Sequence, residues 1–427
     1  MISKMRLKNF KTWEDTGDVK LSPVTLLLGK NSSGKSSLLQ SILLLKQTVR
    51  STDRMIHLNM GGDDQHDIFN FGTFQDVLYK DAAERQFELY FDFSVDSREI
   101  RDIKFHSVYR QDSKGGVVQD QLELRTGDEK FRFIRRERGA YSFVLNDDKM
   151  PFDKGRYWAP ERSTGFSAEA LSCAGVSSSM LQDISLAIQK EMAALVYLGP
   201  IRRKPERDYQ WNKTNPSEMG FDGQKAVDIL LASASSRNNR NSSDILESVS
   251  KWLNLMGVAE RIKLKQVGRS SRYEVVIVQD GLESNLRDVG IGVSQILPVL
   301  ILAYFVPKGS TILLEEPEIH LHPLAQSVLA EFFVEVSQDR NIQFLVETHS
   351  EHLFRRMQTL IARQTLSRDQ CSLYFVEREK NKASLRELDV DEYGRLTNWP
   401  ESFFGDALGE TREQARLMFS KQQETNG

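Results

Sequence analysis

The 427-residue sequence predicts an α/β fold with a phosphate-loop core and a mixed sheet, and three observations carry that prediction. A glycine-rich loop, Gly29-Lys30-Asn31-Ser32-Ser33-Gly34-Lys35-Ser36, follows an apolar run and opens a segment of helical periodicity. A second apolar run, 311–314, ends in the adjacent carboxylates Glu315 and Glu316. Beyond it, strand-like and helix-like segments alternate in the order that builds parallel strands.

Residues 5–10 alternate basic and apolar positions, and 24–28 form an apolar run that stops at Gly29, so two strands flank a turn around Ser22 and Pro23. Leu38, Leu39, Ile42, Leu43, Leu44 and Leu45 then recur at helical spacing over 36–48. Between 87 and 147 the pattern changes to alternation, as in Phe87, Leu89, Phe91 and Phe93, with turn signals at Gly115-Gly116 and Asn146-Asp147-Asp148, which predicts a strand-rich stretch. A loop around Pro160 and Gly165 leads to a helical stretch over 168–196. The polar segment 233–243 reads as an exposed loop. A strand over 273–278, an apolar helix over 295–305, a strand over 310–314, a helix over 323–336 and a strand over 343–346 complete the alternation. No heptad register persists, so no long coiled-coil arm is expected.

Composition excludes several classes. The 57 Lys and Arg against 60 Asp and Glu give a net charge of −3, which is no global basic field for nucleic acid. Two cysteines, Cys173 and Cys371, make no disulfide framework and point to a reducing, cytoplasmic setting. The apolar run 296–306 falls well short of the roughly 20 residues of a membrane-spanning helix, so no membrane association is expected.

The loop fits G-x-x-x-x-G-K-[ST] in the strand-loop-helix setting the pattern requires. Its glycines let backbone N–H groups turn onto phosphates, with Ser37 continuing the helix N-terminus. Lys35 is expected to reach the β and γ phosphates, and Ser36 to ligate Mg²⁺. That makes ATP with Mg²⁺ the expected ligand. At the acidic strand, Glu315 is expected to hold the metal through water and Glu316 to polarise the attacking water. His349, just past the run ending at Val346, is a candidate sensor of the γ phosphate. Gly290, Gly292 and Ser294 precede the apolar helix and predict a second anion site, with Ser294 as helix N-cap and Pro298 close enough to the start to cost little.

This ordered set resembles the ABC-like ATPase heads of the SMC and double-strand-break repair group. It is more similar still to the AAA-type, ABC-like ATPases related to the overcoming-lysogenization-defect proteins. The likeness rests on residues 5–11, on Gly29-Lys30-Asn31, on Leu198-Gly199-Pro200-Ile201-Arg202, on Glu315-Glu316-Pro317-Glu318-Ile319-His320-Leu321-His322-Pro323 and on Glu347-Thr348-His349-Ser350. A terminal segment, Gly394-Arg395 through Trp399-Pro400 to Phe403-Phe404, also matches, whereas 96–189 is the least similar part. The resemblance implies an ABC-type ATPase head that pairs head to tail with a second copy or forms a higher homo-oligomer, with Ser294 acting in trans. It also implies a separate nuclease effector, such as the HNH protein of Septu-type antiphage systems or a Toprim protein. A nucleotide-gated scaffold and a DNA-end repair ATPase stand as alternatives.

Lys35 and Glu315 are about 280 residues apart, so a strand-rich and helical insertion divides the head. The expected division is 1–95 for the N-terminal lobe, 96–280 for the insertion, 281–370 for the signature, acidic strand and sensor, and 371–427 for an accessory segment. Weaker signals are the basic clusters Lys130, Arg132, Arg135, Arg136, Arg138 and Arg202, Arg203, Lys204, Arg207, which are candidate DNA contacts unless they form solvated faces; Arg202 alternatively serves the nucleotide pocket. His320 and His322 lack the partners of a tetrahedral metal site. Glu377, Asp389 and Asp391 resemble a Toprim acidic set, but Glu377 and Asp389 are only about 12 residues apart, too close for the strand and helix that separate those carboxylates. An ATPase without its own nuclease is therefore expected.

Overall fold

The computed structural model describes residues 1–62, 67–95, 100, 102–149, 158–235, 245–398 and 416. Its centre is a six-stranded sheet in the spatial order Leu195–Leu198, Thr311–Glu315, Gln343–Thr348, Val24–Gly29, Cys371–Glu379, Lys382–Glu387. The first five strands are parallel and the sixth is antiparallel, so the sheet is mixed.

Both faces of this sheet are covered, which is why its strands read as continuous apolar runs. Leu26, Leu28, Ile312, Leu314, Phe344 and Val346 face one core, built with the helices Ala226–Ser235, Ile245–Leu255, Ile291–Phe305, Pro323–Arg340 and Glu351–Ala362. Leu27, Leu313, Leu345, Tyr374 and Val376 point the opposite way. They pack with the helices Lys35–Arg50 and Ser178–Ala194 and with a nine-stranded sheet.

That second sheet is antiparallel and follows the predicted alternation. Ile2–Phe10 pairs with Trp13–Asp15, Val19–Lys20 and Gln86–Ser94, and a meander continues through Asp102–Gln111, Val117–Thr126, Glu129–Arg135, Tyr141–Leu145 and Asp148–Lys149. Phe87, Leu89, Phe91 and Phe93 are buried while the residues between them stay at the surface. Gln86–Ser94 and Asp102–Gln111, on either side of the expected boundary at 95/96, are hydrogen-bonded neighbours in this sheet. A smaller sheet joins Tyr209–Gln210, Arg261–Gln266, Arg272–Gln279 and Leu282–Asn285.

The apolar helix departs from expectation at its start. It spans Ile291–Phe305 with Gly290 as N-cap, so Ser294 is not the cap. Its hydroxyl lies inside the first turn and donates to Ile291 O at 2.8 Å. The physical reason is that the glycine pair already turns the chain, with Val293 N–H bonding Gly290 O at 3.2 Å. Gly292 is required here, since a β-carbon would lie 2.7 Å from His320 O. Pro298 consequently falls two turns in and leaves the Ser294 carbonyl without its helical donor.

Of the polar segment 233–243, residues 236–243 lie outside the described residues, as do 399–404 of the terminal match. No helix among the described residues is long and apolar enough to cross a membrane.

Candidate active site

Three parallel strands present their carboxyl ends along one edge, where open α/β sheets place their ligands. In register, Glu315 lies beside Glu347, and Thr348 beside Leu28 of the phosphate-loop strand. Chain order is loop, acidic strand, sensor strand. Spatial order is acidic strand, sensor strand, loop.

The loop is shaped by its glycines. Gly29 has φ 151° and a β-carbon there would sit 2.4 Å from Val376 O; Gly34 has φ 117° and one would sit 2.7 Å from Thr12 Oγ1. Helix Lys35–Arg50 starts directly from Gly34. Lys35 is 2 % exposed, and its Nζ donates to Gly29 O at 3.1 Å and Lys30 O at 2.9 Å. It also lies 3.5 Å from Glu347 Oε1. Burial lowers its pKa, and the Glu347 charge opposes that shift. Ser36 Oγ donates to the same Glu347 oxygen at 3.1 Å. Ser33 N–H closes a turn onto Lys30 O at 3.3 Å and Ser37 N–H one onto Gly34 O at 3.1 Å, while Asn31 and Ser32 lie at the exposed crest.

Carboxylates crowd the adjoining strand ends. Glu315 is buried, accepts a hydrogen bond from Tyr197 Oη at 3.1 Å, and has its pKa pushed up to about 7 by burial and then by the Glu347 charge. Glu347 is raised by burial against the pull of Lys35, and its Oε2 is buried with no hydrogen-bond partner among the described residues. Glu316 takes a left-handed backbone, φ 45°, with its N–H on Glu347 O at 2.8 Å. That turn brings Glu316 Oε1 to 3.7 Å from His349 Nε2, both side chains being about one-third exposed. Burial lowers the His349 pKa, as does Lys35, which keeps the imidazole neutral near pH 7.

Two further residues hold this arrangement. Glu318 is buried and accepts from Thr348 Oγ1 at 2.6 Å and from His349 N–H at 2.7 Å, which fixes the sensor backbone. Arg202, 4 % exposed, reaches in from the loop after Leu195–Leu198 and donates Nη2 to the carbonyls of Glu315 at 3.1 Å and Glu316 at 3.4 Å. Its Nε and Nη1 are buried without a partner, and burial lowers its pKa to about 10.

A family model described as "AAA domain, putative AbiEii toxin, Type IV TA system" matches residues 24–355. The chain belongs to this AAA-domain family. A second model, described as a protein of unknown function (DUF3696), matches 366–414. The chain is 22% identical over 401 residues to an OLD nuclease of Thermus scotoductus, covering 90% of this chain and 66% of that protein, just under two thirds of its length. Among solved structures it is similar to an SMC head bound to the C-winged helix domain of ScpA, at TM-score 0.48 and 14% identity over 92% of this chain and 98% of that one. It is also similar to the SMC head domain from Thermotoga maritima, at TM-score 0.43 and 13% identity over 91% and 99% of the two chains. The AAA-type reading of the sequence is upheld by the family match, with an OLD nuclease among its relatives, and the α/β class by the mixed sheet and the helices that cover it.

Within this AAA domain the structure brings Lys35, Ser36, Glu316 and His349 together and adds Glu347, which sequence reasoning missed. Among the described residues, the group of three or more acidic, histidine or cysteine side chains placed to share a cation is Glu316, Glu347 and His349, with ligand atoms within 4.8 Å of one another. Gly292 and Ser294 sit at the start of the apolar helix, packed against the His320 loop and bonded to Ile291 respectively. His322 caps the helix Pro323–Arg340, accepting from Ala325 N–H at 3.4 Å.

Four of the nine residues of the two basic clusters pair with acids among the described residues. Arg132 pairs with Asp147 at 2.6 Å and Lys130 at 3.3 Å, Arg203 with Glu206 at 2.9 Å, and Arg207 with Asp288 at 2.7 Å. The Toprim-like acids are likewise spent: Glu377 on Arg386 at 3.3 Å, Asp389 on Arg368 at 3.1 Å, and Asp391 on the N–H groups of Tyr393 and Arg395.

Proposed function

We propose that this chain binds ATP with Mg²⁺ at the phosphate loop and hydrolyses it to ADP and phosphate. The observation that carries this reading is the approach of Glu316 to His349 at 3.7 Å on the same sheet edge as Lys35 and Ser36. The loop N–H groups and Lys35 bind the phosphates, and Lys35 exchanges its contacts with loop carbonyls for contacts with them. Glu316 orients a water and takes its proton as the water oxygen attacks the γ phosphorus and the β–γ bridge oxygen departs. Neutral His349, its backbone held by Glu318, donates to the γ phosphate and registers its loss. The residues fit a hard divalent cation: they are oxygen donors, and one of them, Glu347 Oε2, is buried without a partner. When bound, that cation neutralises phosphate charge.

Head-to-tail pairing around ATP, with Ser294 of one copy closing on the nucleotide of the other, fits the exposed Ile201, Ile291 and Leu324. These apolar residues flank the carboxyl edge of the sheet. The output is control of a separate effector, for which a nuclease such as an HNH or Toprim protein is the candidate, in antiphage defence. The named activity of the OLD relative supports that direction. Direct contact with DNA is the alternative output.

Phosphate release by wild type and Glu316→Gln tests the catalytic reading. Turnover is expected to fall about 10²–10⁴-fold with ATP binding retained, and the variant should accumulate as an ATP-dependent dimer by light scattering. Equal turnover would sink the assignment.

A further inference from the structure

We infer that the carboxylate which directly ligates the nucleotide's divalent cation is Glu347, on the sensor strand, and that Glu315, on the acidic strand, does not. The inference rests on the ATP-binding reading above and names the cation ligand within that site. Strand order is the first ground. Strands in a sheet lie about 4.8 Å apart, and Gln343–Thr348 is the immediate neighbour of the phosphate-loop strand, whereas Thr311–Glu315 is one strand further away. In this register Glu347 stands between Glu315 and the loop.

Hydrogen bonding is the second ground. Ser36 supplies the hydroxyl that the loop motif directs at a cation, and the carboxylate it meets is Glu347, Oγ to Oε1 at 3.1 Å. A hydroxyl and a carboxylate oxygen at that separation can occupy adjacent positions around an octahedral ion whose own bonds are about 2.1 Å. The oxygen left over on Glu347 is the third ground. Glu347 is 5 % exposed, and its Oε2 has no partner among the described residues, a cost that a ligated cation would offset. Glu315 also has one oxygen bonded, Oε1 by Tyr197 Oη at 3.1 Å, but neither of its oxygens is among the buried atoms without a partner. Lys35 neutralises Glu347 from 3.5 Å and becomes available to phosphate when the cation takes over that charge.

The probe is Mn²⁺, followed by electron paramagnetic resonance in the presence of a non-hydrolysable ATP analogue, in wild type, Glu347→Gln, Glu347→Asp and Glu315→Gln. Loss of affinity by at least ~10-fold is expected in Glu347→Gln, with partial recovery in Glu347→Asp and a change within about twofold in Glu315→Gln. Metal-free binding of a fluorescent ATP analogue, with circular dichroism as the folding control, is measured on the same proteins. Wild-type Mn²⁺ affinity in Glu347→Gln, or a loss confined to Glu315→Gln, overturns the inference while leaving ATP binding intact. Failure of the wild type to bind the fluorescent analogue overturns the ATP-binding reading itself, and the ligand assignment with it.

Discussion

The two large sheets differ in the kind of polar group they bury. In the antiparallel sheet most buried polar side chains are neutral and bond one another: Tyr109 bonds Ser163 at 2.8 Å, Gln119 bonds Ser107 at 2.8 Å and Ser163 O at 3.1 Å, and Tyr141 bonds Gln119 O at 2.5 Å, with Gln119 Oε1 and Arg132 Nε left without a partner among the described residues. The remainder is aromatic packing. At the carboxyl edge of the parallel sheet, Glu315, Glu318 and Glu347 are buried close together in space, Glu315 beside Glu347 in register, with Lys35 and Arg202 among them. Several of their polar atoms, Glu318 Oε2, Glu347 Oε2 and two nitrogens of Arg202, have no partner among the described residues. One sheet is arranged for stability. The other gathers buried charges at a cost in stability, which the proposed nucleotide and cation would offset.

The largest expected effect tests the first half of that contrast. Phe87 is fully buried and packs edge-on against Phe10 at 5.6 Å between centroids, tilted on Phe74 at 5.5 Å and stacked on Tyr109 at 5.2 Å. Phe87→Ala leaves a cavity that this rigid cluster cannot fill. A loss of about 3–5 kcal/mol is expected in denaturant unfolding, with the ATP KM of the folded fraction unchanged. A loss under ~1 kcal/mol would mean that the antiparallel sheet is not the stability reservoir that such a fully packed core requires.

Glu315 tests the other half, and here the sign is reversed. Its folded pKa, about 7, lies above the unfolded value of 4.5. The protonated form is therefore favoured by folding, and its contribution is fully present below pH 4.5 and lost as pH rises through 7. Glu315→Gln keeps an oxygen for Tyr197 Oη and removes the charge. It should stabilise the protein at pH 8 by on the order of 2 kcal/mol and have little effect at pH 4.5, read from thermal melts across that range. A pH-independent effect would contradict the electrostatic cause.

What the sequence revealed follows the same division between local and long-range structure. The phosphate loop was legible because Gly29 to Ser36 is contiguous and its shape depends on its own glycines. The phenylalanine alternation over 87–93 was legible because a half-buried strand repeats every two residues. Glu347 was visible as a polar residue closing an apolar run, yet its role depends on its strand inserting between two others that are nearly 300 residues apart in the chain, an order no local pattern encodes. Ser294 looked like a cap because serine favours that position. The preceding glycines start the helix earlier, and Gly292 is needed for a backbone approach to His320 that appears only in three dimensions.

Arg202 gives the smallest effect and separates positioning from stability. Its guanidinium bonds the carbonyls on either side of the peptide where Glu316 turns to φ 45°, and Glu316 N–H is tied to Glu347 O, so the catalytic candidate is pinned from both sides. A lysine retains the charge, but an ammonium on a flexible, unbranched stem is not held against both carbonyls as Nη2 of the rigid, planar guanidinium is. Arg202→Lys is therefore expected to lower kcat about tenfold, equivalent to ~1.4 kcal/mol in the barrier, with KM unchanged. Stability should shift by less than ~1 kcal/mol, because the native guanidinium already leaves two buried nitrogens unpaired and the substitution removes that cost along with the bonds. Equal losses of stability and turnover would make Arg202 a structural strut. A fall in kcat alone means that the carboxyl edge of the parallel sheet is held for geometry, at the cost of burying a cluster of charged groups that its antiparallel neighbour largely avoids.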